Sequence, residues 1–204
     1  MIPKESLDDL GASNRLALQS AEGYSDHNIL MKRGLQPPDS HHLSAAQGWL
    51  GLGNHTEANA ELEKIALTLR AHPSVLATRL EIYARAAKWD VAAEIAAALV
   101  KVQPKEPMAW ITLAYATRRK LGGGIPQAKE VLTPAQKRFP KVWLIPYNLA
   151  CYECVLGNMG QAKLRLAEAF TLAQNQKCFD EYKLMALEDP DLEPLWGYLD
   201  ELEI

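Results

Sequence analysis

From Leu43 to Leu172 apolar side chains recur at intervals of three and four, and strand-like alternation is almost absent. The pattern predicts an all-α chain. Prolines and glycines divide it at regular places: Pro73, Pro104 and Pro140 separate longer blocks, while Gly53, Gly122–Gly124 and Gly157 fall inside them. The strings GNHTEANAEL, AKWDVAAEIA, GIPQAKEVL and GNMGQAKLRL each carry an alanine in the same setting, at Ala58, Ala92, Ala128 and Ala162, with spacings of 34, 36 and 34 residues. The block is therefore a repeat. Pro146 falls in the first turn of its helix, where a missing N–H is harmless, but Pro134 lies inside one and predicts a kink.

A period near 34 with small residues at fixed places resembles the tetratricopeptide (TPR) repeat, whose pattern is W-x2-L-G-x2-Y…A-x3-F…P. The third block matches it best, with Trp110, Leu113, Ala114, Ala128, Leu132, Ala135 and Pro140. The second supplies Leu76, Leu80, Tyr83, Ala92, Leu99 and Pro104, with Arg79 where leucine is usual. The fourth supplies Leu149, Ala150, Gly157, Ala162, Leu166 and Ala169, and the first Trp49, Gly53, Ala58, Leu62 and Ile65. The resemblance is to bacterial proteins of this type, and the element DPDLEPL resembles the segments that close such arrays. It implies a right-handed α-solenoid of about four helix pairs with a C-terminal capping helix, because one pair cannot bury its apolar face alone. The expected organisation is an extension over 1–38, repeats over about 39–72, 73–106, 107–142 and 143–172, and a capping segment over 173–204. Within the extension, Leu7 to Ala21 could form a short helix. The breaker-rich remainder is expected to add little stability.

Composition narrows the function more than the fold. The net charge of −3 and pI near 6.0 provide no overall field for nucleic acid or an anionic membrane. Three cysteines are too few for a secreted disulfide framework, and the acidic start MIPKESLDDL lacks the apolar core of a signal peptide, so the expected setting is cytoplasmic. Charge is nevertheless segregated: residues 179–204 hold nine Asp or Glu against one lysine, leaving the rest of the chain net positive. Such a tail either shields a basic groove or forms a solvated terminal helix.

Catalytic chemistry finds no support in the spacing. The Gly122–Gly124 run lacks the neighbours a phosphate loop needs and reads as a turn. The histidines are scattered, and no nucleophile with a base and a carboxylate can be assembled. No enzyme, cofactor or metal is expected. Cys151 and Cys154 form one CxxC in mid-helix, which reads either as two inert small side chains or as a thiol or metal site with Cys178 or His72 as further ligands.

Binding is the remaining class. The resemblance places first helices on a concave face, with Gln47, Thr78, Glu81, Arg85, Met108, Ile111, Tyr115, Arg118, Arg119, Tyr147, Asn148 and Cys151 along it. The lysine, asparagine and arginine clamp by which some relatives grip a chaperone's C-terminus is absent: the corresponding places hold Leu43, Gln47, Thr78, Met108 and Thr112. Pro107 to Ala128 contains no acidic residue, and Arg118, Arg119 and Lys120 cluster in it, with Arg85 in the place of Arg119 one repeat earlier. These cations either serve a binding face or complement a helix C-terminus. The expected function is a non-catalytic scaffold for a protein or peptide, including one with an acidic or C-terminal carboxylate group. The alternatives are a single-stranded nucleic-acid reader, which the irregular inner positions disfavour, and the thiol or metal site.

Overall fold

The computed structural model describes residues 35–174 and 179–200. The helix expected at Leu7 to Ala21, and Cys178, lie outside them. Ten α-helices and no strand occur among the described residues: α1 (Asp39–Gly51), α2 (His55–Glu63), α3 (Pro73–Arg85), α4 (Trp89–Val102), α5 (Pro107–Arg119), α6 (Ile125–Arg138), α7 (Leu144–Val155), α8 (Met159–Gln174), α9 (Phe179–Glu188) and α10 (Trp196–Asp200). Two short 3-10 helices, Leu67–Leu69 and Pro190–Leu195, complete the set. They group into two compact units that meet in sequence between residues 128 and 129.

In the first unit α1 packs on α2, α3 on α4, and α4 on α5. The returns from α1 to α2 and from α3 to α4 are each made by a tight turn with a left-handed residue, Gly53 and Ala87. Gly53 has φ +77° and sits between two backbone bonds, its own N–H to Leu50 and that of Asn54 to Trp49. Those bonds satisfy carbonyls that the ending helix leaves open. The glycine run 122–124 is compact for a steric reason, since a Cβ on Gly123 would lie 1.9 Å from the Thr117 carbonyl oxygen.

The alanines of the repeat lie in the packed interior. Ala58, Ala92, Ala128 and Ala162 are all 0% exposed, and the positions four residues on, Leu62, Ala96, Leu132 and Leu166, are 0% exposed as well. Stripes at i and i+4 thus bury one side of every second helix. Prolines enter at tolerated places: Pro73 and Pro107 stand in the first turns of α3 and α5, where His72 and Glu106 side chains accept the N–H groups of Ser74 and Met108. α6 runs continuously through Pro134, which occupies an exposed side of the helix. The carbonyl that the proline leaves open belongs to exposed Glu130, where water can serve it.

Arg79, the departure from the repeat pattern, has a structural use. Its guanidinium meets Glu63 at 2.7 Å, and Glu63 also pairs with Arg70 at 2.6 Å, so α3 is tied to the end of α2. At the start of the described chain, Leu35 is 5% exposed and belongs to the same core cluster as Leu43, Leu50 and Leu62. The packed chain therefore begins before Asp39, inside the stretch expected to be a loose extension.

In the second unit α7 packs on α8 and on the 3-10 helix Pro190–Leu195, and α8 packs on α9. Lys129 of α6 pairs with Glu153 of α7 at 2.7 Å, and Gln136 donates to Glu168 of α8 at 2.8 Å. The DPDLEPL element lies in the core: Leu192 is 0% and Leu195 1% exposed. Trp143 stacks on Tyr182 with ring centroids 3.8 Å apart, which fixes α9 beside the entry to α7.

Candidate functional site

The first helices of the first unit, α1, α3 and α5, carry most of the residues expected to bind. Gln47 is exposed on α1, and its amide nitrogen lies 3.4 Å from the Thr78 hydroxyl of α3. Glu81 and Arg85 stand one turn apart on α3 and form an ion pair of 2.5 Å. The other arm of Arg85 donates to the Leu50 carbonyl of α1 at 3.1 Å. Arg85 is thus used twice within the fold, once to neutralise charge and once to close a helix end.

One repeat later the same position behaves differently, because the residue one turn before Arg119 is Tyr115 instead of an acid. The Arg119 guanidinium lies 3.6 Å above the Tyr115 ring and 5.5 Å from the Trp89 ring, and its Nη1 donates to the Tyr115 carbonyl at 3.4 Å. Trp89 meets Tyr115 edge to face, with centroids 5.6 Å apart and planes at 74°. A stacked guanidinium keeps its charge and its in-plane N–H groups, and the aromatic bracket restricts its rotamers. Tyr115 itself is buried, so it supplies a floor for the arginine. Arg118 and Arg119 are both half-buried in the last turn of α5, where positive charge complements the helix dipole.

Trp89 was not legible as part of this group, since it opens a second helix and the repeat pattern assigns inner positions to first helices. The available signal was local: Lys88-Trp89-Asp90 places an aromatic ring and two opposite charges at one turn. Asp90 is a further member. Its carboxylate accepts the Leu121 N–H at 3.1 Å and pins the turn after α5 beside the start of α4.

Tyr147 and Asn148 lie in the second unit and do not offer an accessible surface. Tyr147 is 0% exposed and its hydroxyl donates to Asp189 at 3.0 Å, while Asn148 donates to the Leu144 carbonyl at 2.8 Å inside its own helix. The physical reason is the closing segment, whose Asp189 projects into the core and takes the tyrosine. Burial, reinforced by Cys151 and Asp189, raises the Tyr147 hydroxyl well above its ordinary pKa.

The two cysteine sulfurs meet different partners. Cys151 Sγ lies 3.7 Å from Asp189, whereas Cys154 Sγ lies 4.0 Å from the Met159 sulfur. Burial, with Asp191 and Asp189 nearby, pushes the Cys154 thiol up, away from the reactive thiolate. The ligand atoms of Cys151, Asp189 and Asp191 lie within 4.8 Å of one another. Asp189 is engaged there: one oxygen accepts the Asp191 N–H at 3.0 Å and the other the Tyr147 hydroxyl. The arrangement reads as a buried polar clasp.

Among solved structures, the chain is similar to "MamA RS-1 ArsTM double mutant", at 15% identity and a TM-score of 0.58, over 80% of this chain and 94% of that one. It is also similar to "MamA MSR-1 C2", at 15% identity and a TM-score of 0.57, over 83% and 95% respectively. These are TPR-like helical-repeat folds. The chain has that fold. No family model matches it, and no curated protein does. No helix among the described residues is long and apolar enough to cross a membrane.

Proposed function

We propose that the chain is a non-catalytic scaffold that binds a protein or peptide segment across α1, α3 and α5, with an acidic side chain or a C-terminal carboxylate received at Arg119. The observation that carries this reading is the guanidinium held 3.6 Å over Tyr115. A guanidinium is the cation best suited to a carboxylate, and ordering by the Tyr115 and Trp89 rings lowers the entropy cost of binding. The inner positions vary from repeat to repeat, with Glu81 and Arg85 already paired on α3, so no regular pair of base-reading side chains supports a nucleic-acid reading. The fold supports the class of function and leaves the partner to the chemistry of the face.

The test compares wild-type chain with Arg118→Ala/Arg119→Ala and with Arg119→Lys in affinity capture at two salt concentrations. Capture of partners is expected to fall in the double variant, most at low salt, and to recover only in part with lysine, which cannot form the planar fork. Circular dichroism would check that the variants remain helical. Undiminished capture by a folded double variant would remove the reading.

A further inference from the structure

Along α4 runs an apolar line that the fold leaves open at both ends. Val91, Ile95, Ala98 and Val102 follow one another at spacings of four, three and four, so they share one side of the helix. Val91 is 37% and Val102 45% exposed, and Ile95 and Ala98 are half-buried. The repeat does not require apolar residues there. At the first three of these places α2 with its C-cap has Glu57, Glu61 and Lys64, and α8 has Gln161, Arg165 and Glu168. Two of those residues in each set pair with one another, Lys64 with Glu61 at 2.7 Å and Arg165 with Glu168 at 3.2 Å. One flank of the line on α4 is Ala92 and Leu99, both buried in the core of the unit. The other flank is Glu94 and Lys101, one heptad apart and both exposed, and neither joins an ion pair among the described residues.

We propose that two copies of the chain pair through this line, α4 against α4, antiparallel about a two-fold axis. The spacing is that of a coiled-coil seam, and the antiparallel arrangement sets Ile95 of each copy against Ala98 of the other and Val91 against Val102. Charge decides the orientation. An antiparallel pair brings Glu94 of each copy beside Lys101 of the other, two ion pairs related by the axis. In a parallel pair each would instead meet the flank of Ala92 and Leu99, where no charge stands and the residues already face their own core. A seam of three helical turns falls short of the about 1,200 Å² at which standard interfaces begin, so the pairing is weak and depends on concentration. It occupies a second helix and does not depend on what the first helices bind.

Sedimentation velocity on the full chain over about 10–500 μM would follow the pairing. Wild type is expected to pass from monomer towards dimer across that range. Glu94→Lys and Lys101→Glu, each alone, place like charges across the seam and should weaken the dimer about tenfold, whereas an equimolar mixture of the two should restore it as a heterodimer. Val91→Ser/Val102→Ser should weaken it about tenfold through lost apolar area, with circular dichroism to check that the chain stays helical. A chain that remains monomeric across the range, or a dimer indifferent to both charge variants, would overturn the pairing. So would a mixture no stronger than its components, or a dimer that a folded Val91→Ser/Val102→Ser leaves unchanged.

Discussion

At Ala87 the repeat meets a residue that its geometry does not favour. The turns after α1, α3 and α7 share one hydrogen-bond pattern, with Asn54, Lys88 and Asn158 N–H groups reaching back to Trp49, Tyr83 and Glu153. The left-handed position is glycine in two of them, Gly53 at φ +77° and Gly157 at φ +80°, but alanine in the third, Ala87 at φ +53°. An L-residue with a Cβ is strained there by about 1–2 kcal/mol, of which the greater unfolded-state freedom of glycine returns part. Ala87→Gly should therefore stabilise the chain by about 0.5–1 kcal/mol, seen as a higher denaturation midpoint with an unchanged slope. An unchanged or lowered midpoint would mean that the turn carries no strain.

Tyr147 supplies a second test on the same scale. Tyr147→Phe removes the donor to the Asp189 carboxylate, which is 2% exposed, and should cost about 1–3 kcal/mol. The raised folded-state pKa also sets a pH dependence. Stability from the neutral hydroxyl is complete below the unfolded value of about 10 and is lost as pH rises beyond it, because the unfolded tyrosine ionises first. Melting measured across the alkaline range should show a steeper decline in wild type than in Tyr147→Phe. Parallel declines would mean that Tyr147 is not held protonated by its surroundings.

Among the elements, second helices were the most legible from sequence. Ala58, Ala92, Ala128 and Ala162 announced close packing, and each is fully buried, because an alanine stripe at helical spacing has few other uses. Element ends were less legible. Leu35 sits among Gly34, Gln36 and two prolines, and one apolar residue in such a run shows no periodicity, yet it enters the first core. Leu35→Ala is expected to cost about 2 kcal/mol or more by thermal or denaturant unfolding. A loss below about 0.5 kcal/mol would place Leu35 at the level of a surface contact. The side of α6 that Pro134 occupies was not legible for a related reason, since sequence gives it only once the buried stripe is known.

For the molecule as a binder, the sequence showed that Arg118, Arg119 and Tyr115 belong near one another, since they fall within one helical turn of α5. It did not show that Arg85 would pair with Glu81 while its counterpart Arg119 would be stacked on Tyr115 beside Trp89. That difference depends on Trp89 from another helix, and a contact across helices has no signature in local spacing. Tyr147 and Asn148 were read as accessible because the pattern of a repeat ignores what covers the last one. The most direct test of binding across the first helices is photo-crosslinking from the full chain, with the reactive group at exposed Gln47 on α1 and, separately, at exposed Leu67 in the turn between repeats. Partner segments should be trapped at Gln47, with acidic residues in the trapped sequence, and the yield should fall when Arg119→Ala is combined with the probe. Equal trapping at Leu67, or trapping at Gln47 that is indifferent to Arg119, would contradict binding on this face.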